Sequence, residues 1–476
     1  MNRKFIRDIS ANTAQVIIVQ CCGLVIFYLL STRLDKNEFG EINWALAVLM
    51  TAFGILSFGI DQVSIKRFAS GNNAKQLLSI YCMHVLAAGT IFYIMLWISD
   101  AVFSSFFGAH HLLLILGLAK LMIFFSTPFK QLANGLERFK PLLIMSVCSN
   151  VLRSITLIIF AYLDQIDLNT VVIIFIAGDV AELLLCVVIT QFIIKVGVSP
   201  RWNKKEYKDL VTEALPQFGV SVFSSALARF DWIFLGLLAG NIILADYSFA
   251  YKVFEVATLP MLIIAPVLIP RFTKLFHPSA TEITATKKAD LFILLRIEMI
   301  IAALAALVLN ILWVPVIDLL TQGKYGAVNK HTILLLSASM PFLFFNNFLW
   351  TINFAKGRLK MIFYIFLACF LVNLAGDLIL IPLFKAEGAA IAYLAAIIVQ
   401  SVLYFQQTKM EGLKQNSYAI LLCPAFALLS AGLAYLFFTD TVFIMISSLI
   451  IYFLCLVVSR QIRFADWLAF KRITGI

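Results

Sequence analysis

The sequence predicts an all-α polytopic membrane protein with about fourteen transmembrane helices. Three observations predict it. First, of 476 residues 62% are hydrophobic and 13% charged, with a mean hydropathy of +0.96, which is outside the composition of soluble domains. Second, the apolar residues gather into stretches of the roughly 20 residues that a helix needs to cross a bilayer. Third, basic residues alternate between successive connections. A large water-soluble helical core is excluded, because too little polar sequence remains to coat it.

The expected spans are 11–34, 41–65, 76–99, 111–134, 142–163, 170–194, 212–238, 246–269, 290–315, 330–353, 361–381, 389–408, 417–437 and 441–459. Cytoplasmic loops retain Lys and Arg. Beginning with Arg3, Lys4 and Arg7, one set of alternate connections carries 26 of the 37 basic residues and the other set 5, counting Arg33 and Lys330 at their span edges. That split places both termini in the cytoplasm. The net charge of +11 is then chiefly the topology signal, suited to anionic lipid headgroups, and calls for no nucleic-acid partner. The basic N-terminal segment precedes an apolar run too long for a secretory signal, so it is expected to stay attached.

Several functions are excluded by what the chain lacks. Its eight cysteines fall inside spans and form no CxxC, so neither a disulfide framework nor a zinc site is expected. No GxxxxGK[ST] and no HExxH occur, so neither an ATP-cradling loop nor a zinc-hydrolase helix is present. His110 and His111 sit at a helix mouth and suit interfacial packing. The outer loops are short, which disfavours a membrane glycosyl-polymerase with its active site on a large outer loop. A non-enzymatic carrier without cofactor or metal remains, with its function inside the helices.

A weak internal repeat gives the domain plan. Phe39–Ala45 opens the second span as Asp246–Lys252 opens the eighth; their exits, Ile65-Lys66-Arg67-Phe68 and Ile269-Pro270-Arg271-Phe272, have the same shape. Spans four and ten each carry a Pro-Phe pair, Pro128-Phe129 and Pro341-Phe342, and leave through Arg138-Phe139-Lys140 and Arg358-Leu359-Lys360. The displacement is six spans, an even number, so the halves are parallel repeats about an axis along the membrane normal. The expected organisation is a six-helix lobe over 1–195, a cytoplasmic linker over 196–211, a second six-helix lobe over 212–408, and two accessory helices with a tail over 409–476.

Several segments carry a family resemblance: Ser10-Ala11-Asn12-Thr13, Leu34 to Gly40, Asp231 to Gly236, Asp246-Tyr247 through Lys252, and Asn373, Pro382 and Gly388-Ala389-Ala390. In these and in its span number the chain resembles the polysaccharide biosynthesis proteins, the Wzx-type O-antigen flippases. These lie within the multidrug/oligosaccharidyl-lipid/polysaccharide exporter superfamily. The resemblance implies a protein of the bacterial inner, or cytoplasmic, membrane. It would move an undecaprenyl-diphosphate-linked oligosaccharide, such as an O-antigen or lipopolysaccharide repeat unit, to the outer leaflet by alternating access. It further implies a cationic central cavity, contact with membrane lipids, and a polysaccharide polymerase and chain-length regulator as partners.

Charges inside the spans supply the site candidates, since a charge at helix centre costs about 2.5–3.5 kcal/mol on insertion scales. The cationic candidates for a diphosphate are Lys120, Arg153, Arg229, Lys252 and Arg296. Arg grips such a group with two parallel bonds. Asn150, Asn346, Asn347 and Asn353 are candidates for sugar contact. Some of these cations also have a structural alternative: Arg153 can pair with Asp179 or Glu182, Lys252 with Glu255, and Arg296 can reach the headgroups at the cytoplasmic edge. Lys120 has no acid within one turn of its own helix. Lys130 and Asp61 read as residues at the inner membrane boundary.

An inside-negative potential favours outward movement of an anionic headgroup by about 2.3 kcal/mol per charge per 100 mV. Alternatively, Asp179 or Glu182 couples a proton. Three rivals are weighed. A multidrug or cation exporter of the superfamily is disfavoured by the surplus of positive charge in the spans. A lipid II flippase is disfavoured by the lack of basic residues between Ala11 and Ser31. The glycosyl-polymerase is disfavoured by the short outer loops.

Overall fold

The computed structural model describes residues 3–71, 73–103, 105, 110–197, 203–261, 285–410, 412–413 and 418–462. The exit Ile269–Phe272, the end of the eighth span, residues 198–202 of the linker and the tail from 463 onward lie outside the described residues. Contacts gather the chain into two compact units, Met1–Ala245 and Asp246–Ile476.

The first unit begins with α1 (Arg3–Arg33), which packs along α6 (Phe139–Tyr162). Helix α2 (Lys36–Leu56) opens with a capping box: the Asp35 carboxylate accepts from the Glu38 N–H, while the Glu38 side chain accepts from the Asp35 N–H. It breaks after Leu56. Phe58 and Gly59 take φ of 54° and 70°, a left-handed step that costs a non-glycine residue about 1–3 kcal/mol. The chain resumes as α3 (Ile60–Ala69), so the expected second span is two helices joined at a corner.

Next come α4 (Ala74–Val102), capped by Asn73, α5 (Leu112–Gly135) and α6. Helix α7 (Leu168–Val188), capped by Asp167, runs into a π-turn over Ile189–Ile194. Helix α8 (Lys204–Leu238), capped by Asn203, packs on both α2 and α3. Two glycines allow close packing against α2, one on α8 and one on α2 itself, facing the start of the helix that follows α8. A Cβ on Gly236 would stand 2.1 Å from the Trp44 ring, and one on Gly40 would stand 1.9 Å from the Asn241 carbonyl oxygen. The Trp44 indole N–H donates to the Ile233 carbonyl at 3.1 Å, so a small residue and a buried hydrogen bond fix the same contact.

Helix α9 (Asn241–Ala257) leads into the second unit. There α10 (Ala285–Thr321) packs against α11 (Lys330–Ala338), α12 (Met340–Ala355), α14 (Ala419–Phe437) and α15 (Thr441–Val458). Helices α11 and α12 are one expected span, interrupted at Ser339 just before Pro341. Between α12 and α14 lies α13 (Leu359–Gln407), which turns at Lys385, where φ is 54° and ψ −125°. Gly388 lies against the Leu380 and Ile381 backbone and Gly376 against Ala392. Such pairing about a single turn is that of two antiparallel limbs, which occupy the expected spans 361–381 and 389–408.

Among the described residues every regular element is helical, and ten helices are long and apolar enough to cross a membrane. The expected spans 11–34, 212–238 and 246–269 fall on α1, α8 and α9, outside those ten. The lipid-length helices and the breaks share one cause. Backbone polar groups inside a bilayer must be satisfied within the protein, so irregular segments survive only where side chains or neighbouring helices cover them. The corner after α2 is an instance: the imidazole Nε2 of His84 on α4 lies 3.0 Å from the Leu56 carbonyl oxygen.

Candidate functional site

Helices α5, α6 and α7 bring five charged side chains together inside the first unit. Asp179 and Glu182 stand three residues apart on α7, hence on one face, and are 0% and 3% exposed. Lys120 of α5 reaches Asp179 Oδ2 at 3.0 Å, and Arg153 of α6 forms an ion pair with the same carboxylate. Lys130 of α5 pairs with Glu182, which also accepts from the Ser149 hydroxyl. The Phe175 ring lies one turn before Asp179, its centroid 5.5 Å from Lys120 Nζ and 5.6 Å from the Arg153 guanidinium carbon.

Gly178 makes room for this arrangement. A Cβ there would lie 2.5 Å from Arg153 Nε and 2.7 Å from its Cγ, so any larger residue would push the Arg153 side chain from its present place against α7. Three cations meet two carboxylates. Removing one partner of a buried pair costs about 3–5 kcal/mol, so the cluster is held together tightly, with a formal surplus of one positive charge among its five members.

That surplus borders a cavity. Met50, Gly54, Ser57, Asp61, Lys120 and Thr127 are among the residues lining a space of about 230 Å³ beside the corner between α2 and α3. Asp61 accepts a hydrogen bond from Tyr81 of α4. The sequence reading placed Lys130 and Asp61 at the membrane boundary. In the structure both turn inward: Lys130 reaches the buried Glu182, and Asp61 faces the same space as Lys120. Their positions near span ends hid this, because a long side chain can turn back into the protein. The expectation that Lys120 lacks a nearby acid held only along its own helix; its partner comes from α7.

A second group of polar contacts ties α8 to α3 and α4. Glu213 pairs with Lys66 at 3.0 Å and Arg67 at 2.9 Å, Gln76 donates to Glu206, and His84 Nδ1 meets the Tyr207 hydroxyl at 3.1 Å. Partial burial pushes the Tyr207 phenol above its usual range. At the other end of α2, His110 packs on Trp44 with ring centroids 4.4 Å apart, while His111 makes a polar contact, its Nδ1 3.3 Å from Glu41.

Most of the remaining candidates have other partners within their own units. Arg229 lies over the Trp232 ring, 4.5 Å from its centroid. Lys252 pairs with Glu255 at 2.7 Å. Arg296 is on α10, in the second unit. Asn346 donates to the Ile397 carbonyl and to Gln400, each at 3.0 Å, and Asn353 to Leu349 and Thr408. Those amide donors join α12 to the second limb of α13. Asn347 Nδ2 is buried without a hydrogen-bond partner, and Asn150 donates to the Ser146 carbonyl one turn back. The second unit has its own cavity, about 640 Å³, between α10, α11, α12 and α14. It is walled by Leu307, Trp313, Phe342 and Leu428, with Lys330 and His331 among its polar residues.

Comparison with known proteins follows from this architecture. No curated protein sequence matches the chain. Among solved structures, it is similar to a lipid II flippase MurJ in an inward closed conformation, with a TM-score of 0.75 and 16% identity over 94% of this chain and 98% of that one. A multidrug resistance MATE family transporter of the MOP superfamily, inward-facing, gives 0.67 and 15% over 87% and 98%. A MOP superfamily transporter from Pyrococcus furiosus, described by the reverse polarity of its binding pocket, gives 0.59 and 14% over 87% and 96%. At these identities the likeness shows the fold, that of multi-pass membrane transporters and flippases rather than of enzymes. A family model described as polysaccharide biosynthesis protein matches residues 5–276, more than half of the sequence, and the chain belongs to that family.

Proposed function

We propose that this protein is a flippase that carries an undecaprenyl-diphosphate-linked oligosaccharide, an O-antigen or similar surface repeat unit, to the outer leaflet of a bacterial cytoplasmic membrane. The observation that carries the reading is the surplus cation of the cluster on α5–α7, bordering the cavity that Lys120 lines. A diphosphate that enters beside Lys120 meets a positive charge already desolvated and already positioned, so little reorganisation opposes binding. It competes with Asp179 for Lys120 and Arg153. Release at the other face then restores the ion pairs, so the acids serve as stand-in ligands for the empty carrier.

The proposed architecture has fourteen spans with both termini inside. Six-helix lobes over 1–195 and 212–408 rock about the linker 196–211, and accessory helices follow over 409–476. Arg229, Lys252 and Arg296 are proposed to meet the headgroup at other stages, and Asn150 and Asn347 its sugars; Asn346 and Asn353 would need their present donors released. The apolar cavity beside α14 suits part of the lipid tail. A cation exporter fits less well, because a cationic substrate would be repelled by the cluster's surplus charge.

The test is complementation of a flippase-null strain with Lys120→Met, Arg153→Met and Lys130→Met. Surface polysaccharide is expected to fall at least tenfold for the first two. Wild-type polysaccharide from all three, at equal protein levels, removes the cationic site.

A further inference from the structure

The acids buried in the spans differ in one respect that bears on energy coupling. Asp179 and Glu182 are each held by cations, Glu255 by Lys252, and Asp377 accepts from the Asn373 amide at 2.8 Å. Glu298 has no such support. It lies on α10, 1% exposed, and neither carboxyl oxygen has a hydrogen-bond partner. On its own face the neighbours are Leu291, Leu294, Leu295 and Ala302, all buried.

No cation among the described residues neutralises it. Arg296, two residues before, projects about 200° around the helix from Glu298. Lys287, Lys288 and Asp290 lie two turns or more toward the start of α10, and Asp318 near its other end. The helices packed on α10 are α11, α12, α14 and α15. Helix α11 offers Lys330 and His331, which line the cavity with Asn310, about 18 Å along the axis from Glu298 at 1.5 Å per residue. Helix α12 carries no titratable side chain. Helix α14 carries Cys423 and Tyr435, and α15 carries Cys455 and Tyr452, whose hydroxyl donates to the Ile300 carbonyl at 3.2 Å.

An ionised carboxylate in such surroundings is expensive, whereas the neutral acid is tolerated. We propose that Glu298 is a proton-binding site of the transport cycle, holding a proton while α10 is packed on α12 and α14 and exchanging it with water when that packing opens. Coupling is thereby assigned to the second unit. Asp179 and Glu182, paired with three cations, suit the role of anchors instead. The part played in transport rests on the flippase reading; the proton site itself does not.

Dicyclohexylcarbodiimide, an apolar reagent for protonated carboxyl groups, tests the site on the full-length protein in liposomes. An adduct on Glu298 is expected by peptide mass spectrometry, falling about tenfold per pH unit above its titration point, while Asp179 and Glu182 stay unmodified. A buried acid that never opens would give no adduct, so absence of an adduct from about pH 5 to pH 9 overturns the proposal. In cells, Glu298→Gln is expected to remove the dependence of surface polysaccharide on external pH and Glu298→Asp to retain it. An equal pH response in wild type and Glu298→Gln overturns the coupling role. If the Lys120 and Arg153 variants export normally while the adduct forms, the flippase site falls and the proton site stands.

Discussion

Lys120 and Asp179, 59 residues apart in sequence, meet at 3.0 Å inside the first unit, with Arg153 on the same carboxylate. Asp179 is therefore the residue that keeps two cations apart. Asp179→Asn leaves them facing one another with only Glu182 nearby. A loss of about 3–5 kcal/mol is expected, read as a lower unfolding temperature in detergent. Adding Lys120→Met to Asp179→Asn should recover part of it.

Gly178 gives a steric test of the same cluster without altering a charge. Gly178→Ala places a Cβ against Arg153 Nε and should cost about 1–3 kcal/mol through overpacking. Export is expected to fall with it. Arg153→Lys, which lacks the planar fork, should tolerate the alanine better than Arg153 does, and a double-mutant cycle measures the difference.

His84 closes the corner after α2 by binding the Leu56 carbonyl and the Tyr207 hydroxyl. His84→Phe removes both bonds, at about 1 kcal/mol for each hydrogen bond lost. The local readout is hydrogen exchange: amides of Phe58 to Ile60 should exchange faster, while those of α15 should be unchanged. Unaltered exchange at the corner would show that the imidazole does not hold it.

Asp167 gives a pH dependence with a definite sign. The Thr170 side chain and N–H donate to its exposed carboxylate and hold its pKa below the usual range. A lowered folded-state pKa means that its contribution is complete above the unfolded value and is lost as acid titrates it through the folded one. Asp167→Ala should cost about 1 kcal/mol at neutral pH, as for other N-caps, and the gap from wild type should close on acidification. Thermal unfolding in detergent at neutral and acidic pH measures both.

The sequence by itself determined the helical, membrane-spanning character, because a bilayer demands long apolar helices and tolerates few charges. For the same reason it disclosed Lys120, Arg153, Asp179 and Glu182 as residues out of place in apolar surroundings. Tertiary structure alone decided which of these meet. Helical spacing tells which residues share a face but not which helix that face meets, so Lys120 looked unpaired, while Lys130 and Asp61 looked peripheral. It also decided that Glu298 has no hydrogen-bond partner among the described residues, a property of the helices around it and of no motif within its own. The corner at Phe58-Gly59 was unreadable for a related reason: it is stabilised by His84, which lies on another helix.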